Sequence, residues 1–173
     1  MRLVVLGLPL TGCLAYARGQ AGTAFGTSEE LGHSGPIVTA DAAFRPPFWR
    51  PKAHEPPSPL VLQTSVEALM APQRKDLAWG TGLGFITPLV PVSGMIIGGT
   101  NAHFGFTNGK VSFGSVSPYV DFGIRAPLST EGAEYEHQGF VSLDLTEQTY
   151  FDFLRKGPPE YVVCIKFGAG WGN

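Results

Sequence analysis

An all-β domain is the architecture this sequence predicts, and three features carry that reading. Glycine and proline are abundant, 23 and 15 of 173 residues, which implies many turns and few long helices. The stretch from Leu77 to Gly109, LAWGTGLGFITPLVPVSGMIIGGTNAHFGFTNG, contains no Asp, Glu, Lys or Arg. Its glycines, Pro88 and Pro91 exclude a single membrane helix, because each break would leave backbone groups unpaired in lipid, so buried strands explain it better. Within it, Asn108-Gly109 lies between alternating runs, the favoured two-residue hairpin turn because both positions tolerate positive φ. The expected fold is one β-rich domain over residues 1–173, a single jelly-roll, β-sandwich or barrel with long Gly/Pro-rich loops.

Taken in order, Arg2 to Leu8 reads as a first strand and Cys13 to Arg18 as a second. Leu10-Thr11-Gly12-Cys13 also resembles the lipobox of bacterial lipoproteins, although the segment before Cys13 is shorter than the about 15 to 30 residues of a secretory signal. Gly19 to Gly35, rich in Gly, Ser and Thr without periodicity, reads as a loop. Pro36 to Ala40 forms a short strand. Asp41 to Pro59, DAAFRPPFWRPKAHEPPSP, carries six prolines, which remove donors and fix φ, so it is an extended segment. Leu60 to Met70 alternates as a strand, and Ala71 to Gly84 reads as a loop.

Ala102 to Thr107 and Lys110 to Val116 flank the hairpin turn, with Phe104 and Phe106 on one face and His103 on the other. Val120, Phe122 and Ile124 continue the meander. Phe85 to Gly99 adds uncharged strands, so the centre is a sheet covered on both faces or curled into a barrel. Ala126 to Gln138 is an acidic loop and Phe140 to Leu145 a strand. Thr146 then caps a short helix over residues 147–156, with Glu147 in its first turn, Arg155 and Lys156 in its last, and Gly157-Pro158-Pro159 as its stop. Glu160 to Phe167 is a final strand, and the tail GAGWGN is irregular.

Charged residues make up 15% of the chain, against about 25% in an average globular protein. With 43% hydrophobic residues and a net charge of −2, little keeps copies apart, which favours a homo-oligomer. Specific nucleic-acid binding is excluded because the twelve lysines and arginines are scattered.

No chemistry emerges from the motifs. His33, His54, His103 and His137 lie far apart, without the HxH, HExxH or CxxC spacing that places ligands together. Glu134, Glu136 and His137 read as a solvated acidic loop. No serine sits in a GxSxG elbow, and Cys164 in an apolar strand reads as an inert thiol. Gly80-Thr81-Gly82-Leu83-Gly84 lacks the following helix of a phosphate loop. The expectation is a non-enzyme with no catalytic, metal or cofactor site. The candidate interface residues are Phe44, Phe48, Trp49 and Arg50 on the proline-rich arm, with Trp79 and Trp171.

Short strands, a helix inserted near the C-terminal end and few Asn, Met and Cys together resemble the small single jelly-roll major capsid protein of tailless, internal-membrane icosahedral phages of thermophilic bacteria. That resemblance implies a structural, self-assembling coat subunit in the virion, with a second capsid protein as partner and a lipid membrane beneath the shell. Two alternatives stand beside it. One is a bacterial envelope binding or structural module anchored through a lipidated Cys13. The other is a small β-barrel enzyme or ligand-binding protein using His103 or His137.

Overall fold

The computed structural model describes residues 14–27, 34–46, 56–71, 75–89, 91–107, 110–129, 138–153 and 158–172. Eight strands follow in chain order: β1 (Leu14–Gly26), β2 (Gly35–Phe44), β3 (Leu60–Met70), β4 (Lys75–Ile86), β5 (Ser93–Thr107), β6 (Lys110–Pro127), β7 (Gln138–Asp152) and β8 (Glu160–Gly172). Each pairs antiparallel with its neighbours in sequence, and β1 also pairs with β8, so the sheet closes on itself. Closure leaves no edge strand to blunt.

The register sets the barrel's shape. From Tyr16 the pairing runs through Ala43, Gln63, Gly82, Gly99, Tyr119, Gln148 and Val162 and returns to β1 at Gly26, ten residues beyond its start. That stagger over eight strands tilts them by ~40° and gives a wall radius of roughly 8 Å, an interior that side chains alone can fill. Glycine on the wall lets large interior side chains lie against it. A Cβ on Gly82 would stand 2.6 Å from the Tyr119 hydroxyl, and one on Gly99 2.7 Å from the same ring.

Burial alternates residue by residue along β3, β7 and β8, the period of a strand with two unlike faces. Inside, one apolar cluster near the Leu14 end includes Tyr16, Val61, Ile86, Leu89 and Phe140. A second, toward the Gly26 end, includes Ile37, Leu69, Tyr150 and Val162. Polar and charged residues fill the waist between them.

Several sequence expectations are corrected here. The barrel option holds, and the jelly-roll does not, because every connection joins adjacent strands. Two expected loops are strands: Gly19 to Gly26 belongs to β1, and Lys75 to Gly84 to β4. Their glycines disguise an alternation that cross-strand pairing enforces. The expected helix over residues 147–156 is overturned where it is described. Residues up to Asp152 continue β7, and Gln148, Thr149 and Tyr150 pair with β8. Thr146 faces the interior instead of capping a helix, so tertiary pairing overrides the local signals. Gly168 to Gly172, expected to be irregular, completes β8. Leu60–Met70 is a strand as read, and β5 and β6 pair as far as Thr107 and Lys110. The strand expected at Arg2 to Leu8, Cys13 with its lipobox, the Asn108-Gly109 turn, the Phe106 side chain, and Glu134, Glu136 and His137 lie outside the described residues.

Candidate functional site

The two faces of the wall carry opposite chemistry. Facing inward at alternate positions are Arg18 and Gln20 of β1, Asp41 of β2, Gln63 and Glu67 of β3, Asp121 of β6, Asp144, Thr146 and Gln148 of β7, and Lys166 of β8, all buried. Arg18 is the hub. Its Nε donates to both Asp41 oxygens at 2.8 and 3.0 Å, its Nη1 to both Asp144 oxygens at 2.8 and 2.9 Å, and its Nη2 to Asp41 at 2.8 Å and Asp121 at 3.2 Å. One guanidinium from β1 thus ties together β2, β6 and β7, an arrangement suited to its rigid set of donors.

Around the hub, amides and hydroxyls add further hydrogen bonds to the carboxylates. Gln20 donates to Asp144, and Thr146 to Asp121. Gln63 donates to Asp41 at 2.7 Å and accepts from Tyr119 at 3.0 Å. Gln148 donates to both Glu67 oxygens at 3.3 and 3.2 Å and accepts from Ser117 at 3.1 Å. Lys166 stands 3.8 Å from Asp121. The space left among Asp41, Gln63, Glu67, Tyr119, Asp121 and Lys166 is about 10 Å³, no more than one water's worth. The waist is a plug.

At the Leu14 end, the Arg125 guanidinium packs over the Phe140 and Tyr16 rings at 5.2 and 5.5 Å and donates to Ser93 Oγ at 2.7 Å and the Thr87 carbonyl at 3.2 Å. Just past β2, Arg45 donates to the Ser58 carbonyl at 2.9 Å, and burial lowers its pKa to about 10. His103 faces the interior, its Nε2 2.7 Å from Ser117 Oγ and its ring 4.5 Å from that of Tyr150. Among the described residues, no group of three His, Cys, Asp or Glu side chains is placed to hold a metal ion.

The outward face is apolar. Exposed there are Leu62, Val66, Leu83 and Phe85 on β3 and β4, Val120, Phe122 and Ile124 on β6, Leu143 and Leu145 on β7, and Val163, Ile165 and Phe167 on β8. Trp79 is 56% exposed on this face, and its Nε1 donates to Thr64 Oγ1 at 3.1 Å, so its one polar group is satisfied within the wall. From Trp171 to Tyr161 along β8, the band spans about 25 Å of the barrel axis at ~3.3 Å per residue and ~40° of tilt. Of the exposed aromatic residues, Phe25, Phe113, Phe151, Phe153 and Tyr161 stand toward the Gly26 end and Phe85 and Trp171 at the other, with Trp79, Phe122 and Phe167 between them.

Of the interface residues expected from the sequence, Trp79 and Trp171 are exposed on the outward face, on β4 and β8. Phe44 ends β2, half-buried. Phe48, Trp49 and Arg50 lie outside the described residues. The interior network was missed altogether. Its signal is single charges at one parity of an apolar run, as in Val120-Asp121-Phe122, Leu143-Asp144-Leu145 and Ile165-Lys166-Phe167.

No protein-family model and no curated protein sequence matches this chain. Among solved structures it is similar to Neisserial surface protein A, with a TM-score of 0.56 and 16% sequence identity, the match covering 91% of this chain and 96% of that one. At that identity the likeness is one of fold: an eight-stranded antiparallel closed barrel. It corrects the reading as a jelly-roll capsid subunit of a phage virion, and with it the expected second capsid protein. The homo-oligomer inferred from low charge is corrected too. The missing charges belong to an outward apolar wall, not to contacts within a shell.

Proposed function

We propose that this chain is an integral β-barrel protein of a bacterial envelope membrane, whose strands cross the bilayer and whose plugged interior makes it a scaffold instead of a pore. The observation that carries this reading is the inversion of the two faces: ion pairs inside, a charge-poor apolar band outside. In water that band would be an aggregation liability far beyond the patch size a soluble protein tolerates. In a bilayer it matches the hydrocarbon thickness, with aromatic residues toward its margins. Backbone groups are satisfied within the closed sheet, as lipid requires. The likeness to a surface protein from Neisseria supports the same location.

The function is structural or binding, carried by the connecting loops and the lipid-facing wall, and no catalysis is assigned. The plug supports this, since the described side chains that meet at the waist leave only about 10 Å³ between them. The test is reconstitution into liposomes carrying bromines at defined acyl-chain depths, with Trp49 replaced by Phe. Trp79 fluorescence is quenched most by deep bromines and Trp171 by shallow ones, and the vesicles stay impermeable to small ions. A barrel that stays folded and monomeric in detergent-free buffer, or tryptophans that no bromolipid quenches, would overturn the proposal.

A further inference from the structure

Glu147 breaks the pattern of the outward face. Among the strand residues whose side chains the structure describes, Lys75 and Glu147 are the exposed acidic or basic ones. Lys75 opens β4 at the rim. Glu147 sits within the band, between Leu145 and Thr149 on its own strand, with Val120 of β6 and Val163 of β8 paired to either side. Asp152 ends β7 five residues further on, which puts Glu147 roughly 10 Å below that rim. Among the described residues no side chain pairs with its carboxyl group.

An acidic group in the hydrocarbon zone is costly to keep and is held where something meets it. Lipid chains offer no counter-charge. Among the described residues a second copy does not offer one either: copies share one depth and orientation in a membrane, so a neighbour's Lys75 stands roughly 10 Å too high. We propose that Glu147 is the contact point for a different membrane-embedded chain that presents a lysine or arginine at this depth to the wall formed by β6, β7 and β8. The apolar residues around Glu147 exclude water from that contact, and the charge pair fixes its register. This inference rests on the membrane reading above.

The test is labelling by a hydrophobic carbodiimide, read at Glu147 by peptide mass mapping. Membranes from the native host are compared with the purified barrel in phosphatidylcholine liposomes. Labelling is expected to be about tenfold slower in native membranes, as for a contact occupied nine-tenths of the time. E147K is expected to shrink the complex extracted from native membranes while leaving the circular dichroism of the barrel unchanged. Equal labelling in both membranes overturns the proposal. So does protection that appears in liposomes containing phosphatidylethanolamine, or on crowding the pure protein, since lipid ammonium or a second copy would then be the partner. Trp79 quenching on the same samples separates the two readings: a barrel that fails to insert sinks the membrane reading, and one that inserts with Glu147 freely labelled sinks this contact alone.

Discussion

Removing Arg18 is the sharpest perturbation of the interior. The waist holds four buried carboxylates, Asp41, Glu67, Asp121 and Asp144, against two buried cations, Arg18 and Lys166. Arg18→Ala takes away the donors to three of those carboxylates at once. Breaking a buried ion pair by removing one partner costs about 3–5 kcal/mol, because the other charge stays buried and uncompensated. Here three acids lose a partner, so the loss falls at the upper end, about 5 kcal/mol. With an m-value of about 2 kcal/mol/M, the urea midpoint moves down by about 2.5 M. Asp144→Asn should cost less, about 1–2 kcal/mol, since Arg18 keeps Asp41 and Asp121 and one excess negative charge is gone. The assay is equilibrium urea unfolding of the barrel in lipid vesicles, followed by tryptophan fluorescence, with ion conductance across a planar bilayer as a second reading. The Arg18 variant should also leak, because the plug loses its central side chain. If Arg18→Ala costs under about 1 kcal/mol, or no more than Asp144→Asn, the network is not what ties β1 to β2, β6 and β7.

Other outcomes follow from the same geometry. Leu145→Arg places a cation near the middle of the outward band, and should cost about 2–4 kcal/mol of folding stability in a bilayer. Arg18→Lys keeps the charge and loses the multiple donors, so its stability should lie between those of the wild type and Arg18→Ala in the urea experiment. Gly99→Val forces a side chain into the Tyr119 ring, and should lower stability by about 1–3 kcal/mol through overpacking. Cys164, buried in the interior, should resist maleimide labelling in the folded barrel and react fully once unfolded in urea.

How far the sequence could be read depended on which periodicity survived locally. Leu60 to Met70 and Glu160 to Phe167 alternate strongly and were legible as strands. Gly80, Gly82 and Gly84 hide the alternation of Lys75 to Ile86, because glycine shows no side chain to either face. Thr146, Glu147 and the aromatic pair at residues 150 and 151 spell a helix start in isolation, and only pairing to β6 and β8 shows that they belong to a strand. The deeper misreading concerned sign. Leu77 to Gly109 reads as a core because it lacks charge, whereas its alternate residues Leu77, Trp79, Leu83 and Phe85 face outward. A strand's period fixes which residues share a face, and leaves open whether that face meets protein, water or lipid. Single charges such as Asp121, Asp144 and Lys166 then look like a wet face until closure puts all of them inside one ring.

The most direct test of an inverted barrel is a paramagnetic scan along β8. Spin labels are placed one at a time from residue 161 to residue 171 in liposomes, and their collisions with oxygen, which concentrates in lipid, are compared with those of a water-soluble nickel chelate. The account predicts a period of two, with odd positions such as Val163, Ile165 and Phe167 oxygen-accessible and shielded from nickel, and even positions shielded from both. Nickel collisions at the odd positions near the centre of the strand would place water, not lipid, against the outer wall, and would contradict it.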